Sequence, residues 1–289
     1  MRASEEVIHF DHVALAFGEH QVLRNISFAL HRGETLVLIG VTGTGKTLLL
    51  KLALGLLKPD RGRIHVLGTD ITGLEEDELF PLREKLGIVF QEMALFDSLN
   101  VYENVAYRLL EERVHGGAEL PDEEIERRVR EVLDFVELEE AIWKLPSELS
   151  GGMRRRVGLA RALITEPPVL LYDSPTAGLD PITAQTILTL IIKLRDTRQA
   201  SALYVTHRLQ DAFILAHNVY DAANGTLKPA PTDGRDPALR SLGVGGPAPR
   251  SLGVGGTRFL LLRDGVIFFD GSPDELLAAR DPYVQRYLA

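Results

Sequence analysis

The first apolar residues of the chain alternate with polar or smaller ones. Residues 13–17 and 26–30 each place a large apolar side chain at every second position. A period of two is typical of a strand with one buried face. We therefore expect two half-buried antiparallel strands near the start of the chain.

Continuous apolar runs then replace the alternation. Runs bounded by turn signals predict strands that are buried on both faces. A long helix is predicted to start at Asp180-Pro181 and to continue through Leu194. Strands that alternate with helices indicate a parallel sheet, and so an α/β fold. The runs are residues 34–39, 86–90, 169–172 and 202–205.

Residues 92–150 differ from the stretches on either side because their pattern is helical. Asn100 and Glu103 have the spacing of a helix-capping signal, and apolar residues between 125 and 136 recur at helical intervals. We expect an all-helical subdomain over residues 92–150. It would be inserted between two segments of the core, residues 1–91 and 151–275.

Residues 222–257 are rich in Gly, Pro, Ala and Asp and contain the sequence RSLGVGG twice. This composition offers too little apolar surface for a packed core, so we expect a flexible insertion without chemistry of its own. A hairpin is predicted beyond it, with Asp264-Gly265 at the turn. Residues 272–289 are expected to form a C-terminal helix and tail that starts with a capping signal at Ser272.

Composition narrows the class of protein. The chain has 289 residues, 45% of them hydrophobic and 25% charged, which suits one substantial core with an annex or two modest domains. A net charge of −9 disfavours a general nucleic-acid binder, and the lack of cysteine excludes disulfides and zinc-thiolate sites. No apolar run approaches the roughly 20 residues of a membrane span, and the first residues lack a signal-peptide pattern.

Eight residues from Gly40 to Thr47 separate an apolar strand from an apolar helix and match a phosphate-binding loop. Glycines let backbone N–H groups converge on phosphate oxygens, and the following helix offers its positive end. Lys46 supplies a point charge, and the Thr47 hydroxyl can hold Mg²⁺. A chance glycine-rich turn is the alternative, and agreement with the full pattern argues against it. The predicted nucleotide contacts are Gly40, Thr42, Gly43, Thr44, Gly45, Lys46 and Thr47.

Five further motifs follow the loop in order. Together they resemble the motifs of the nucleotide-binding subunit of an ABC transporter, over almost the whole chain except the Gly/Pro-rich insertion. The resemblance implies a P-loop NTPase core with an antiparallel β annex and a helical subdomain, and it implies ATP and Mg²⁺ as cofactors. The motifs are Gln91, residues 149–153, residues 169–173, residues 177–180 and His207.

The resemblance assigns catalytic roles to Lys46, Gln91, Asp173 and His207. Asp173 ends a buried strand, where ligands of parallel sheets bind, and would hold Mg²⁺ through water, with Thr47 and Gln91 as further metal contacts. The alternative is an aspartate that caps a helix. His207 would contact the γ-phosphate, and Gln91 would reach Mg²⁺ or the attacking water. Their alternatives are a structural histidine and an exposed amide at a strand end.

Ser150, Gly151 and Gly152 place small residues and free N–H groups at a helix N-terminus, which is a second anion site. In the family this site serves a partner subunit, so the resemblance implies a homodimer of two chains packed head to tail. Asp180 completes the set of expected nucleotide contacts.

For Phe17 and for the three arginines at 154–156, solvent exposure distinguishes the possible roles. Phe17 is expected to stack under the adenine ring, with core packing as the alternative. Arg154, Arg155 and Arg156 come shortly after Ser150, Gly151 and Gly152, which we call the signature, and for at least two of these arginines we expect a solvated helix face.

Ser174 departs from the family pattern. It stands where a glutamate usually polarises the attacking water, and a serine hydroxyl cannot accept that proton at neutral pH. We expect strong ATP binding with slow hydrolysis, or with hydrolysis that depends on the assembled permease or on another carboxylate. The sequence leaves open whether the serine is natural or engineered.

The type of transporter follows from weaker similarities. Residues 91–106, Met153, residues 180–183 and residues 281–288 resemble ATPases of Mla and MCE-type lipid transport systems, although amino-acid and metal importer ATPases share much of this sequence. We expect a homodimer on an integral-membrane permease, at the cytoplasmic face of the cell membrane, without nucleic acid. A soluble ABC ATPase of DNA repair or translation and an ATP-binding switch that barely hydrolyses are the alternatives. The transported substrate, the direction of transport and an accessory regulatory protein remain open.

Overall fold

A computed structural model describes residues 5–114, 120–230 and 256–289 of the chain. Its strands lie in three sheets. The strands are β1 (Glu6–Phe17), β2 (His20–His31), β3 (Thr35–Ile39), β4 (Arg61–Val66), β5 (Thr69–Asp70), β6 (Leu86–Val89), β7 (Val169–Asp173), β8 (Ser201–Val205), β9 (Asn218–Asp221), β10 (Thr226–Pro229), β11 (Thr257–Arg263) and β12 (Val266–Gly271).

Helices cover both sides of the largest sheet and form a separate layer beyond it. Two short 3₁₀ turns, Glu139–Ala141 and Pro146–Glu148, lie in that layer. The helices are α1 (Lys46–Ala53), α2 (Glu76–Arg83), α3 (Val101–Val114), α4 (Asp122–Phe135), α5 (Gly151–Leu163), α6 (Pro181–Arg198), α7 (Leu209–His217), α8 (Pro273–Ala278) and α9 (Pro282–Leu288).

The central sheet has the strand order β12-β11-β3-β8-β7-β6. All neighbours in it are parallel except the β11–β12 hairpin. Every residue of β3, β7 and β8 is buried, as continuous apolar runs predict for strands covered on both faces. The predicted α/β fold with a parallel sheet is therefore confirmed, and the carboxyl ends of these strands meet at one edge.

The four-stranded sheet is the predicted antiparallel annex. Its order is β2-β1-β4-β5, and β1 pairs antiparallel with both β2 and β4. One face is buried against α1 and the central sheet, where the rings of Phe10 and Phe28 stack 4.7 Å apart. Alternation of apolar and polar residues predicted this half-buried arrangement correctly.

The capping signal before α3 also forms as predicted. The Asn100 side chain accepts a hydrogen bond from the Glu103 N–H, and the Glu103 carboxylate accepts one from the Asn100 N–H. The described part of residues 92–150 contains α3, α4 and the two 3₁₀ turns, and no strand. Apolar faces of α3 and α4 pack against α5, which continues into the core.

The Gly/Pro-rich segment falls mainly on residues 231–255, outside the described residues, and so does the duplicated sequence except for its last residue, Gly256. The expectation of a structureless stretch from residue 222 does not hold for Thr226–Pro229. These residues form β10, which pairs antiparallel with β9. The turn is closed by Asp221, whose carboxylate accepts from Ala223 and Asn224, and by Gly225 at a φ of 66°.

The hairpin predicted beyond this segment is present, and the single C-terminal helix that was predicted is divided into two short helices, α8 and α9. Asp264 and Gly265 join β11 to β12 at φ values of 48° and 77°, as a two-residue turn of this kind requires. Ser272 and Glu275 form a capping box at the start of α8. In the part of the chain that the structure describes, no helix combines the length and apolarity that crossing a bilayer would require.

Candidate nucleotide-binding site

The phosphate loop joins the end of β3 to the start of α1. At two of its glycines, neighbouring atoms leave no room for a side chain. A side chain at Gly40, whose φ is 151°, would place its Cβ 2.6 Å from the Leu262 carbonyl oxygen. One at Gly45, whose φ is 97°, would lie 2.9 Å from Leu23. Only glycine allows this path of the chain.

Lys46 folds back over the base of the loop. Its Nζ donates hydrogen bonds to the carbonyl oxygens of Gly40, at 2.8 Å, and Val41, at 2.7 Å. Burial lowers the pKa of the Lys46 ammonium to about 8, against a smaller opposing effect of Asp173. A phosphate anion beside this amine would reverse the shift, because opposite charge favours the protonated form.

Thr47 and Asp173 bring hard oxygen ligands together. The Thr47 hydroxyl donates to the Asp173 carboxylate over 3.0 Å. Burial raises the pKa of Asp173, and the bond from Thr47 and the charges of Lys51 and Lys46 oppose that rise. No group of three or more acidic, histidine or cysteine side chains in the described residues could hold a metal by itself. One carboxylate and one hydroxyl fit Mg²⁺, which usually takes its remaining ligands from phosphates and water.

A cavity of about 280 Å³ opens beside the loop. The structure brings Gln91, Ser174 and His207 to its wall, from the ends of β6, β7 and β8. Ligands of parallel sheets bind at this edge. The cavity is lined by Val22, Thr42, Gly43, Gly45, Lys46, Thr47, Leu48, Gln91, Ser174, Val205 and His207.

Ser174 adopts a left-handed backbone conformation, with a φ of 47°. Its N–H donates to the Val205 carbonyl over 2.9 Å, which ties the end of β7 to the end of β8. Non-glycine residues in this conformation are strained and cluster at functional sites. The turn directs the residue after Asp173 to the cavity.

Ser150, Gly151 and Gly152 lie at the start of α5, outside this cavity. The Ser150 hydroxyl caps the helix by accepting from Met153 N–H at 3.2 Å. A Cβ at Gly152 would lie 2.5 Å from the Thr183 methyl group, so the start of α5 approaches the start of α6 closely.

Asp180 caps that second helix. Its carboxylate accepts from the N–H groups of Ile182 and Thr183 and from the Thr183 hydroxyl, and these bonds hold its pKa below the ordinary value. Asp180 therefore lies beside the signature residues, on the exposed side of the subunit.

Residues 23–177, which include the loop, Gln91, the signature and Asp173, match the family model described as ABC transporter. The chain belongs to the ABC transporter family.

Curated members of the family cover 71% of the chain. It is 38% identical over 213 residues to the methionine import ATP-binding protein MetN of Bifidobacterium longum and 41% identical over 222 residues to the Arabidopsis thaliana protein TRIGALACTOSYLDIACYLGLYCEROL 3, chloroplastic. It is 39% identical over 204 residues to the probable ribonucleotide transport ATP-binding protein mkl of Mycobacterium tuberculosis. The matches span 52%, 62% and 55% of those proteins, so the chain covers little more than half of their length.

Solved ABC cassettes share the fold. The dimeric cassette MJ0796 bound to ADP and Pi superposes with a TM-score of 0.70 at 27% identity, over 91% of this chain and 97% of that one. The protein cbiO1 of Clostridium perfringens gives a TM-score of 0.73 over 98% of this chain and 95% of that one; at 24% identity it shows the fold alone.

Phe17 of this ABC chain lies at the end of β1 with 52% of its surface exposed. The core-packing alternative is therefore wrong. Stacking under adenine stays a prediction, because Phe17 does not line the cavity beside the loop.

The expectation of a solvated arginine face on α5 is wrong. Arg154 donates to the Leu149 carbonyl at 2.7 Å, and Arg156 donates to the Glu137 carbonyl at 2.9 Å. Arg155 is 4% exposed and donates to the carbonyls of Gln91 and Ala177. Loop carbonyls next to α5 need donors, and these guanidinium groups supply them.

Arg155 and Arg161 hold the segment after β6 in place, which sequence reasoning missed. Arg161 donates to the carbonyls of Met93 and Ala94, both at 2.7 Å, and these two residues have left-handed φ values of 61° and 48°. One signal for Arg155 was present: it lies four residues before Leu159, on the buried side of α5.

Proposed function

We propose that this chain is the ATP-binding and hydrolysing subunit of a membrane transporter and that it works as a homodimer. The observation that supports the proposal is that the two predicted phosphate-binding elements lie in different places on the subunit. Lys46 and Thr47 share one cavity with Gln91 and His207, whereas the signature at Ser150 lies outside it. Two chains packed head to tail would bring each signature to the ATP on the partner's phosphate loop. The similar cassette MJ0796 is described as a dimer bound to ADP and Pi.

The phosphate loop would bind ATP with few changes. Lys46 Nζ would exchange bonds to the Gly40 and Val41 carbonyls for bonds to phosphate oxygens, with a charge-assisted gain. Thr47 and Asp173 would hold Mg²⁺, which supplies charge neutralisation on the phosphates. Phosphoryl transfer depends mainly on such positioning and electrostatic stabilisation.

The three side chains at the cavity wall would act on the attacking water and the γ-phosphate. Gln91 would orient the water, and His207 would donate to a γ-phosphate oxygen. The Ser174 hydroxyl can hydrogen-bond the water but cannot accept its proton at neutral pH. Slow turnover follows from this substitution.

An apolar groove beside Gln91 suits a helix of a membrane permease. It has a volume of about 270 Å³. Its lining combines apolar residues, among them Leu56, Phe80 and Phe90, with the charged residues Glu76, Arg83, Glu84, Arg108 and Glu111. Phe80 and Leu56 are 42% and 48% exposed and line the same groove, and a contiguous exposed apolar patch is typical of an interaction site. Phe90 directly precedes Gln91, so an occupant of the groove would be coupled to the residue that orients water. A permease helix bound in this groove would hold the chain at the cytoplasmic face of the membrane.

Lipid is the substrate class that we propose. Residues 91–106 and 281–288 resemble those of Mla and MCE-type ATPases, and one relative carries the name of a galactolipid. Other relatives are named for methionine import and ribonucleotide transport, which are the competing substrate classes.

The test combines partner capture with turnover. Tagged chain extracted in mild detergent should carry an integral-membrane permease and phospholipid, identified by mass spectrometry, and Phe80→Asp should lose both. Leu277→Asp, at an exposed leucine on α8, is the matched control. In the captured complex, Lys46→Ala should abolish ATP turnover and Lys51→Ala should not. Capture of ribosomal or DNA-repair proteins without a permease would contradict transport, and an amino acid or nucleotide in place of lipid would contradict the substrate class.

A further inference from the structure

The C-terminal helix α9 reaches the phosphate loop from the far end of the chain. The hydroxyl oxygen of Tyr287 accepts a hydrogen bond from the Gly40 N–H at 2.9 Å, across 247 positions of sequence. Gly40 is the first residue of the loop, and none of the nucleotide-binding motifs includes Tyr287. The contact therefore joins an element without an assigned role to the centre of the site.

Gly40 is the first residue after β3, where pairing with the neighbouring strand no longer fixes the backbone. The register of β11 with β3 ends at the pair Leu261 and Ile39. The next N–H along β3 belongs to Gly40, and Tyr287 provides its acceptor. A buried backbone N–H without a partner is strongly unfavourable, so this bond stabilises the conformation from which the loop begins.

Gly40 has two further contacts. Without nucleotide its carbonyl accepts from Lys46 Nζ at 2.8 Å, a bond that phosphate would replace, and the Leu262 carbonyl leaves no space for a Cβ. The bond from the Gly40 N–H to Tyr287 is not exchanged in this way, so it can hold the residue that directs the loop toward phosphate. Restraint in the bound geometry before the ligand arrives raises affinity, because less ordering remains for the binding step.

The structure anchors α9 firmly enough for this role. Asp281 caps the helix by accepting from the N–H groups of Tyr283 and Val284, at 2.8 and 3.3 Å. The Tyr283 ring lies edge-on to Phe268, and the Arg263 guanidinium lies 4.1 Å from the centre of the same ring. Tyr287 follows one turn later, with its ring parallel to that of Tyr283. The helix is therefore held on the β11–β12 hairpin independently of the loop.

We propose that Tyr287 is a positioning residue for the phosphate loop, so that nucleotide affinity depends on the docked C-terminal helix. The inference rests on the proposed binding of ATP. Burial raises the pKa of the hydroxyl to about 12, so it stays neutral at physiological pH. Tyr287 would touch the loop and not the reacting atoms.

The test compares Tyr287→Phe with Tyr283→Phe, the same change one turn earlier on α9. Loss of one hydrogen bond should weaken binding of fluorescent ATP and ADP analogues by about 3- to 10-fold in Tyr287→Phe. In turnover assays the KM for ATP should rise while kcat at saturation stays unchanged. Tyr283→Phe should bind within about twofold of wild type, since it keeps its ring against Phe268. Amide exchange at Gly40 should accelerate only in Tyr287→Phe.

Different outcomes separate the two proposals. If wild type does not bind ATP, the proposed function fails. If wild type binds and Tyr287→Phe binds equally well, the positioning role fails. Deletion of residues 282–289 should weaken binding at least as much as Tyr287→Phe; a loss in the deletion alone would assign the effect to packing of the tail and overturn the role of the hydroxyl. Should Tyr287→Phe not fold, rapid exchange of the Gly40 amide in wild type would overturn it as well.

Discussion

At the residue scale, the Lys46 amine changes its protonation state near pH 8. Burial in the loop disfavours the ammonium and lowers its pKa to about 8, from an ordinary value near 10.5. Between these values the unfolded chain binds more protons than the native chain. Without nucleotide, the stability contribution of Lys46 therefore rises with pH across this window.

Nucleotide binding should have the opposite pH dependence. Phosphate favours the charged amine, so ATP affinity should fall by up to about tenfold per pH unit above pH 8, and binding should take up a proton there. Calorimetry at pH 7, 8 and 9 in two buffers of different ionisation enthalpy measures both quantities. Lys46→Arg, whose guanidinium stays charged, is the control and should show no proton uptake over this range. A flat affinity profile for wild type would show that the loop leaves this amine protonated.

Ser174 gives a second prediction at this scale. Ser174→Glu should raise ATP turnover by about 10²–10⁴-fold, because a carboxylate can accept the proton of the attacking water and serine cannot. The side chain already lines the cavity with Gln91 and His207. Ser174→Gln has similar size without basicity and should stay slow. Equal rates in the two variants, or brisk turnover by wild type, would mean that another group orients the water.

Most residues of the candidate site could be predicted from the sequence, because short stretches of sequence determine the turns and strand ends that carry them. The turn from Gly40 to Lys46 depends on residues that are adjacent in the sequence. Asp173 and His207 follow strands that can be recognised from their apolar runs. Tyr287 was not predictable, since it meets Gly40 only through the packing of α9 on a hairpin. The motif order predicted that Gln91 and Ser174 would share a site, and the meeting of strand ends explains why they line one cavity.

At the element scale, α5 connects three parts of the site. Its first residues form the signature, and Arg155, one turn later, donates to the carbonyls of Gln91 and Ala177. The segment after β6 and the loop after β7 are thus held by one side chain. A run of arginines indicated a solvated face because charge alone does not reveal which loop carbonyls lie beside a helix.

Arg155→Met should test this connection. Methionine keeps the apolar stem and removes the donors, which should destabilise the fold by about 2 kcal/mol, since buried carbonyls lose charged partners. Turnover should fall more than ATP affinity, because Gln91 loses its support while the phosphate loop is untouched. Denaturant unfolding and nucleotide titration measure the two effects. Arg128→Met on α4, where Arg128 pairs with Glu124, removes a partly exposed charge and should change neither by much. An equal loss of affinity and turnover would contradict a role centred on Gln91.

At the scale of the whole molecule, the two anion-binding elements face different surroundings. The phosphate loop borders the subunit's own cavity, whereas Ser150–Gly152 lies beside Asp180 on the exposed side of α5 and α6. Alternation predicted the annex, continuous apolar runs predicted the central sheet, and helical periodicity predicted the helical layer before the signature. The placement of the signature away from the loop depends on how α5 packs against α6, which no local pattern encodes.

A dimer that closes on ATP follows from this placement. With Mg²⁺ and ATP, wild type should double in mass in light scattering without an added hydrolysis block, because we expect turnover to be slow with Ser174 in place of a carboxylate. Gly151→Asp should abolish the change: a Cβ at Gly151 meets nothing within 4 Å in the subunit, but its carboxylate would face the partner's phosphates. Gly73→Asp adds the same charge at another open glycine and should dimerise normally. Equal dimerisation of Gly151→Asp and wild type, with ATP binding intact in both, would mean that the signature does not meet the partner's nucleotide.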